Sequence, residues 1–503
     1  MLIDKIKSFA NDTLTYGVFN MLGRFFTFLL TPLYSNYLTP AENGVMTYML
    51  SLIVLVQIIY CFGMSAGFFR FFKHNEYSTI YDSSTYSKKI FSLYCFTVLT
   101  ISSISTILLI IFSVPISNSL IGAEFPNAIY IFQIIIFIPF LDQINVISLD
   151  KLRIEHKVKK FIIVRLLNIA LSFVITLYFL TSTELGILGP FLSNLIANIV
   201  LFLYLLPTII KNINFHIDFK LFKEMLVFSL PTLPSSFSAI ALQVADRPIM
   251  KLFVSNSEIG LYQINAKLAV PMLIFVTMFS YAWTPFYISH FKDSDAKPLF
   301  SRILTYYTFF SSIIVLCIVF FMDYLVRIPL WDGKTFIHSD YWSALFIPGI
   351  IAIGYLINGI SINFAAVFHI EKKTKYLPFA MGTGAIISII LNFILLPIIG
   401  ILGAAISLLV GYTIELVIMK ALQSKVNYKI NYEWKRIFIV VISSVIIYLL
   451  GSYLSAPFDL TIAFIIKIGI MSLYIVLLKL FGFFTTGEIA QIKKIFSKKK
   501  NSI

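Results

Sequence analysis

Apolar runs about 20 residues long, separated by short polar stretches, dominate the chain, and each could cross roughly 30 Å of hydrocarbon as a helix. They fall at about 13–34, 44–69, 89–112, 125–148, 161–181, 184–207, 222–246, 259–288, 300–322, 341–367, 376–397, 401–422, 436–454 and 460–482. Fourteen membrane spans are therefore expected. The runs lack the short alternating pattern of an outer-membrane barrel, so the fold class is an all-α polytopic membrane protein.

The pattern also repeats. The stretch RFFTFLLTPLYSNYLTPAENG, Arg24 to Gly44, is echoed by ALQVADRPIMKLFVSNSEIG, ending at Gly260, with Pro32, Glu42 and Gly44 mapping to Pro248, Glu258 and Gly260 at an offset of 216. Ile154-Glu155-His156-Lys157 maps to Ile370-Glu371-Lys372-Lys373 at the same offset. Gly186 and Gly189 map to Gly400 and Gly403 at 214. Three echoes in one order imply two homologous six-helix halves, a period too long for a solenoid and one typical of transporters. The expected division is 1–213 (spans 1–6), 214–424 (spans 7–12), and 425–503, an appended helix pair with a basic tail.

Composition agrees: 59% of the 503 residues are hydrophobic and 13% charged, with a mean hydropathy of +0.90, too apolar for an ordinary soluble protein. The net charge of +15 matters through its placement. Thirty of the 39 Lys and Arg lie in the tails and in alternate loops, whereas Arg247, Lys251, Arg327 and Lys334 alone mark the other side. By the positive-inside rule this supports fourteen spans with both termini cytoplasmic. Met1 to Asn11 leads into the first span without a small-residue cleavage site, so that span is expected to remain. The longest outer loop, about Asp323 to Tyr341, leaves no room for a folded catalytic domain, and no enzyme activity is expected.

Several charges interrupt the apolar runs. Arg24 sits near the middle of span 1, where a basic residue costs about 2.5–3.5 kcal/mol even on lenient scales; it reads as a cavity-facing cation for an anionic group, against the alternative of an ion pair with a buried carboxylate. Lys267 in span 8 reads as a cavity cation or as a partner of Asp246. Arg247 joins this positive set or snorkels to the interface. Lys467 is equally ambiguous, and Arg165 reads mostly as positive-inside charge. Asp142, Asp246 and Glu415 are candidates for carrying a coupling proton or sodium ion, or are structural counter-ions. Pro231, Pro234 and Pro271 mark spans 7 and 8 as bending elements, because each proline removes a backbone donor.

Other motifs carry no chemistry. Gly63-Met64-Ser65-Ala66-Gly67 matches a nucleophile elbow in letters but lacks the strand before it; its two glycines read as a surface for close helix packing. Cys61, Cys95 and Cys317 form no framework, the six His are scattered, and no phosphate loop occurs, so no metal or cofactor site is expected.

LTPLYSNYLTPAENGVMTYMLSL after a central Arg, FGMSAGFFRFF, ADRPIMKLFVSNSEIGLYQINAKLA and LNFILLPIIGILGAAISLLVGYTIEL together resemble the Wzx-type polysaccharide transporters of the multidrug/oligosaccharidyl-lipid/polysaccharide (MOP) exporter superfamily. The resemblance implies two six-helix lobes in a V around a cavity lined by spans 1, 2, 7 and 8, with spans 13 and 14 outside. It implies an undecaprenyl-pyrophosphate-linked oligosaccharide as substrate, moved to the outer leaflet of a bacterial cytoplasmic membrane for O-antigen or capsule synthesis, with membrane lipid, H+ or Na+ and a polysaccharide polymerase as further partners and no nucleic acid. Arg24, with Lys267 or Arg247, would meet the pyrophosphate through charge-assisted hydrogen bonds. Three rivals remain at this stage. A cation-coupled drug exporter of the same fold would want carboxylates in its cavity, a polymerase or transferase of lipid-linked sugars would need a large outer loop, and a non-transporting scaffold would leave Arg24 without a ligand.

Overall fold

The computed structural model describes residues 21–73, 83–122, 128–214, 218–233, 237, 240, 244–485 and 488. Among these residues the chain is helical, with one isolated bridge between Pro329 and Thr335 and no sheet. Twelve of the described helices are long and apolar enough to cross a membrane. The other two expected spans, 13–34 and 222–246, each include residues outside the described set, and Pro234 is one of these.

The helices are α1 (21–37), α2 (Pro40–Cys61), α3 (Met64–Lys73), α4 (Ser83–Ile111), α5 (Ala128–Ile154), α6 (Val158–Ser182), α7 (Leu188–Asn212), α8 (Phe219–Ser229) and α9 (Asp246–Phe253). They continue with α10 (Asn256–Leu268), α11 (Val270–His290), α12 (Ala296–Val326), α13 (Ile347–Ile370), α14 (Tyr376–Ile399), α15 (Ile401–Leu422), α16 (Trp434–Ser455) and α17 (Leu460–Leu480).

Two expected spans are broken. Span 2 divides into α2 and α3 at Phe62 and Gly63, both left-handed with φ of 51° and 69°. The break lets α3 meet α8 at short range: a Cβ on Gly63 would lie 2.4 Å from the Ser229 carbonyl oxygen, and one on Gly67 2.3 Å from Ser229 Oγ. The glycine pair is thus a packing surface, as its spacing predicts. Span 8 divides into α10 and α11 at Ala269, two residues before Pro271, which has no N–H to continue the helix.

The duplication is built into local geometry. Thr39 and Glu42 form a reciprocal cap on α2, with the Thr39 N–H donating to Glu42 at 2.9 Å and the Glu42 N–H to the Thr39 hydroxyl at 3.3 Å. Ser255 and Glu258 repeat it on α10 at 3.0 and 3.3 Å, which satisfies the exposed donors of a helix start. His156 and Lys372, 216 apart, are both left-handed (φ of 56° and 57°). Each is followed by a closing bond, Lys157 N–H to Leu152 at 2.9 Å and Lys373 N–H to Phe368 at 2.8 Å, the Schellman ending.

Contacts gather the chain into two compact units, Met1–Lys267 with Met381–Gly411, and Leu268–Ala380 with Tyr412–Ile503. In the first, Phe68, Phe91, Tyr94, Ile147 and Met225 tie α3, α4, α5 and α8 into one core. In the second, α16 and α17 pack on α12: Phe320, Val440, Ile447 and Tyr474 are fully buried together, and Gly451 lies against the Phe320 ring. The Tyr474 hydroxyl pairs with Ser312 at 2.7 Å and Ser444 at 3.1 Å, the polar adhesive that apolar surroundings require.

Candidate functional site

α1 organises the site. Phe26, Leu30 and Tyr34 recur every four residues and so share a face; this face and Thr27 line a cavity of about 220 Å³. α2 closes it with Met46 and Leu50, α6 with Asn168, Ser172 and Phe173, and α7 with Phe191 and Asn194. Phe26 and Phe173 meet edge to face at 6.1 Å. Among the described residues no charged side chain lines the cavity.

Charges stand at its two ends. Arg24, one turn below Thr27, is half-buried and has no hydrogen bond or ion pair to any described residue. About ten residues up the helix, roughly 15 Å at 1.5 Å per residue, the Lys267 ammonium lies 4.7 Å from the centre of the Tyr34 ring, a cation–π contact. Lys267 has no hydrogen-bonding or ion-pair partner among the described residues. The structure therefore leaves Arg24 and Lys267 as separate cations at two levels of α1.

Arg247 is engaged differently. Its guanidinium donates to Asp246 at 3.0 Å and twice to Gln263 at 3.3 Å, and the Tyr262 hydroxyl donates to the other Asp246 oxygen at 3.2 Å. Asp246 is thus the partner of Arg247, not of Lys267. Gln263 is one turn before Lys267 on α10, so Arg247 approaches the same helix face. Beside Asp246 is a cavity of about 10 Å³, bordered by Ser388 and Asn392 of α14, and the buried Asn392 Oδ1 has no hydrogen-bond partner among the described residues.

The remaining candidates are spread out. Asp142 accepts from Gln57 at 2.8 Å and lies 4.0 Å from Arg165, so Arg165, read from the sequence mostly as loop charge, faces a carboxylate inside the bundle. Glu415 is 3% exposed, and its Oε2 has no hydrogen-bond partner among the described residues. Lys467 is taken up by the Phe320 carbonyl at 3.4 Å and the Tyr324 ring at 5.0 Å. Pro231 follows the end of α8, and Pro271 opens α11.

One cluster escaped sequence reasoning. α5 runs past the expected end at 148, burying Asp150 and Lys151. Asp150 accepts from Ser65 at 2.6 Å, Tyr94 at 3.0 Å and Arg153 at 3.3 Å, while Lys151 donates to Asn212 at 2.6 Å. Outside the spans, Glu371 pairs with Lys373 at 3.1 Å and accepts from the Tyr428 N–H. Burial alone would raise its carboxyl, but the bonds from Tyr428 and Lys373 outweigh it and hold the group below the usual carboxylate range. Among the described residues no group of His, Cys, Asp and Glu could hold a metal ion.

Among solved structures the chain is similar to the lipid II flippase MurJ in an inward closed conformation, at a TM-score of 0.74 and 18% identity, with 93% of this chain and 98% of that one covered. It is similar to an inward-facing MATE-family multidrug transporter of the MOP superfamily at a TM-score of 0.65 and 11% identity, covering 80% and 96%. A MOP transporter from Pyrococcus furiosus follows at 0.51 and 13%, covering 84% and 97%. No curated protein matches this chain. These likenesses show that the chain has the fold of these proteins. A family model described as polysaccharide biosynthesis protein matches residues 35–333, more than half of the sequence, and the chain belongs to that family.

Proposed function

We propose that the protein flips undecaprenyl-pyrophosphate-linked oligosaccharide repeat units from the inner to the outer leaflet of a bacterial cytoplasmic membrane, by alternating access, for O-antigen or capsule synthesis. The observation that carries this reading is Arg24, a cation inside an apolar helix with no described partner, in a chain of a polysaccharide biosynthesis family with the fold of a lipid II flippase. A guanidinium with no partner among the described residues is costly in such surroundings unless an anion is supplied, and a pyrophosphate suits its forked donors. Lys267 supplies a second cation, and Arg247, paired with Asp246, approaches the same face of α10. The lobes are residues 1–213 and 214–424, with 425–503 appended, and the alternation of basic loops puts both termini in the cytoplasm. Transport without covalent chemistry suits a bundle whose outer loops are short.

The drug-exporter reading fares worse, because no carboxylate is among the described residues lining the cavity on α1 and three carboxylates of the bundle are engaged elsewhere: Asp246 by Arg247, Asp142 by Gln57 and Arg165, Asp150 by Ser65 and Tyr94. Asp246 remains the coupling candidate only if Arg247 releases it; the cavity beside it has room for about one water-sized occupant. Glu415 is the alternative proton carrier.

The test uses cells deleted for this gene that make its surface polymer. Deletion is expected to trap lipid-linked repeat units on the inner leaflet; wild type restores the polymer, and Arg24→Ala, expressed at normal levels, restores less than a tenth of it. Polymer unaffected by deletion in cells without a second flippase would sink the reading.

A further inference from the structure

The cavity on α1 has a chemistry of its own, distinct from that of the two cations at its ends. At about 220 Å³ it is smaller than the roughly 300 Å³ and upward of drug-sized pockets, yet holds the equivalent of about seven waters at ~30 Å³ each. Its walls combine the rings of Phe26, Tyr34 and Phe173 with the side-chain amides of Asn168 and Asn194 and the hydroxyl of Ser172. Several of these polar groups lack partners. Asn168 Oδ1 is buried without a hydrogen bond to any described residue, and the hydroxyls of Tyr34 and Ser172 bond no described residue. Asn194 uses its oxygen to accept from Asn198 at 2.8 Å, which leaves its NH₂ as a donor toward the cavity.

An empty apolar pocket would need none of these groups, and an acyl or prenyl chain would leave them unsatisfied at a cost of about 1–3 kcal/mol each. An ion would find no opposite charge. What matches is a small neutral ligand with many hydroxyls and at least one C–H-rich face: hydroxyls bond the amide of Asn194 and the hydroxyls of Ser172 and Tyr34, while the C–H face packs on the electron-rich face of an aromatic ring. Tyr34 fixes the orientation, because its ring forms a cavity wall and also carries the Lys267 ammonium. An anion held by Lys267 would therefore sit just beyond the ring from whatever fills the cavity.

Resting on the flippase reading above, we propose that this cavity is a subsite for one sugar ring, the one attached directly to the pyrophosphate. Lys267 holds the phosphate side of that linkage and the polar lining of the cavity recognises the ring. A sugar-free lipid can use the cations but not the subsite.

The experiment measures binding by native mass spectrometry of the full chain in nanodiscs. The probes are undecaprenyl pyrophosphate alone and the same lipid carrying a single glucose, galactose or N-acetylglucosamine. Wild type is expected to bind at least one glycosylated lipid about tenfold more tightly than the sugar-free lipid, the gain of one or two good hydrogen bonds and a ring contact. Asn168→Leu removes an unpaired buried acceptor, so the fold should tolerate it; it is expected to erase most of that preference while leaving sugar-free lipid binding unchanged. Phe26→Leu, which keeps apolar volume but removes the ring, is expected to act the same way, and Lys267→Gln to weaken all the lipids together. If wild type binds the sugar-free and every glycosylated lipid equally, or if Asn168→Leu and Phe26→Leu leave the preference intact, the subsite is overturned while the flippase reading stands. If wild type binds none of the lipids, the flippase reading falls and takes the subsite with it.

Discussion

At the scale of single residues, the informative signal is a polar group the surroundings cannot ignore. Arg24 and Lys267 were legible because a full charge inside an apolar run is visible without coordinates. Asn168 and Ser172 were not, since ordinary polar side chains are common in membrane helices and only the folding of α1, α2, α6 and α7 around one space gives them meaning. Asp150 was hidden for another reason. It stands next to Lys151 and Arg153, and the three together look like the end of a span, whereas Ser65, Tyr94 and Asn212 from other helices satisfy Asp150 and Lys151 and let α5 continue to Ile154. Asp150→Ala would leave the fully buried Tyr94 hydroxyl without its acceptor. The expected loss is about 1–3 kcal/mol, read as a melting temperature lowered by several degrees in detergent. Asp150→Asn keeps an acceptor oxygen and is expected to lose less than half as much; an unchanged melting temperature for the alanine variant would show that the cluster is incidental.

At the scale of elements, apolar length located the spans well but could not locate their interruptions, because a break at Phe62 or Ala269 changes backbone direction without changing hydrophobicity. The duplicated glycines did carry tertiary information. A Cβ on Gly44 would lie 1.7 Å from the carbonyl oxygen of Asn256, and one on Gly260 2.0 Å from that of Pro40. Residues 40 and 256 are themselves equivalent across the repeat, so the starts of α2 and α10 clasp each other reciprocally, as two copies do across a twofold axis. No side chain but hydrogen fits between two backbones at that range, which explains why both halves place glycine there. Gly44→Ala and Gly260→Ala are each expected to force the clasp apart, lowering the melting temperature and reducing polymer restoration severalfold. Gly382→Ala, on α14 with nothing within 4 Å of the added methyl, is the control and should leave both unchanged. Equal behaviour of all three variants would mean that the clasp has no mechanical consequence.

At the scale of the whole molecule, the sequence repeat and the compact units divide the chain by different rules. The repeat follows ancestry, whereas the units follow packing, and their first boundary falls between Lys267 and Leu268, where α10 gives way to α11 at Ala269 and Pro271. That placement has a mechanical implication under alternating access, because an interrupted helix can change its angle at the interruption for little energy, while a continuous one cannot. The missing N–H of Pro271 is what prevents one continuous ladder from forming through Ala269. Pro271→Ala restores the donor and puts the best helix former at a position where proline now opens a new helix. If the interruption serves movement, this variant is expected to melt at a temperature equal to or above that of wild type and yet to flip lipid-linked saccharide several times more slowly in proteoliposomes. Lipid binding should be preserved, because Arg24, Lys267 and the cavity on α1 are untouched. The combination of retained stability, retained binding and slowed turnover separates a conformational fault from misfolding or a damaged site. Turnover at the wild-type rate would instead assign the interruption to packing alone, and the motion would have to be sought at Pro231, just beyond the end of α8.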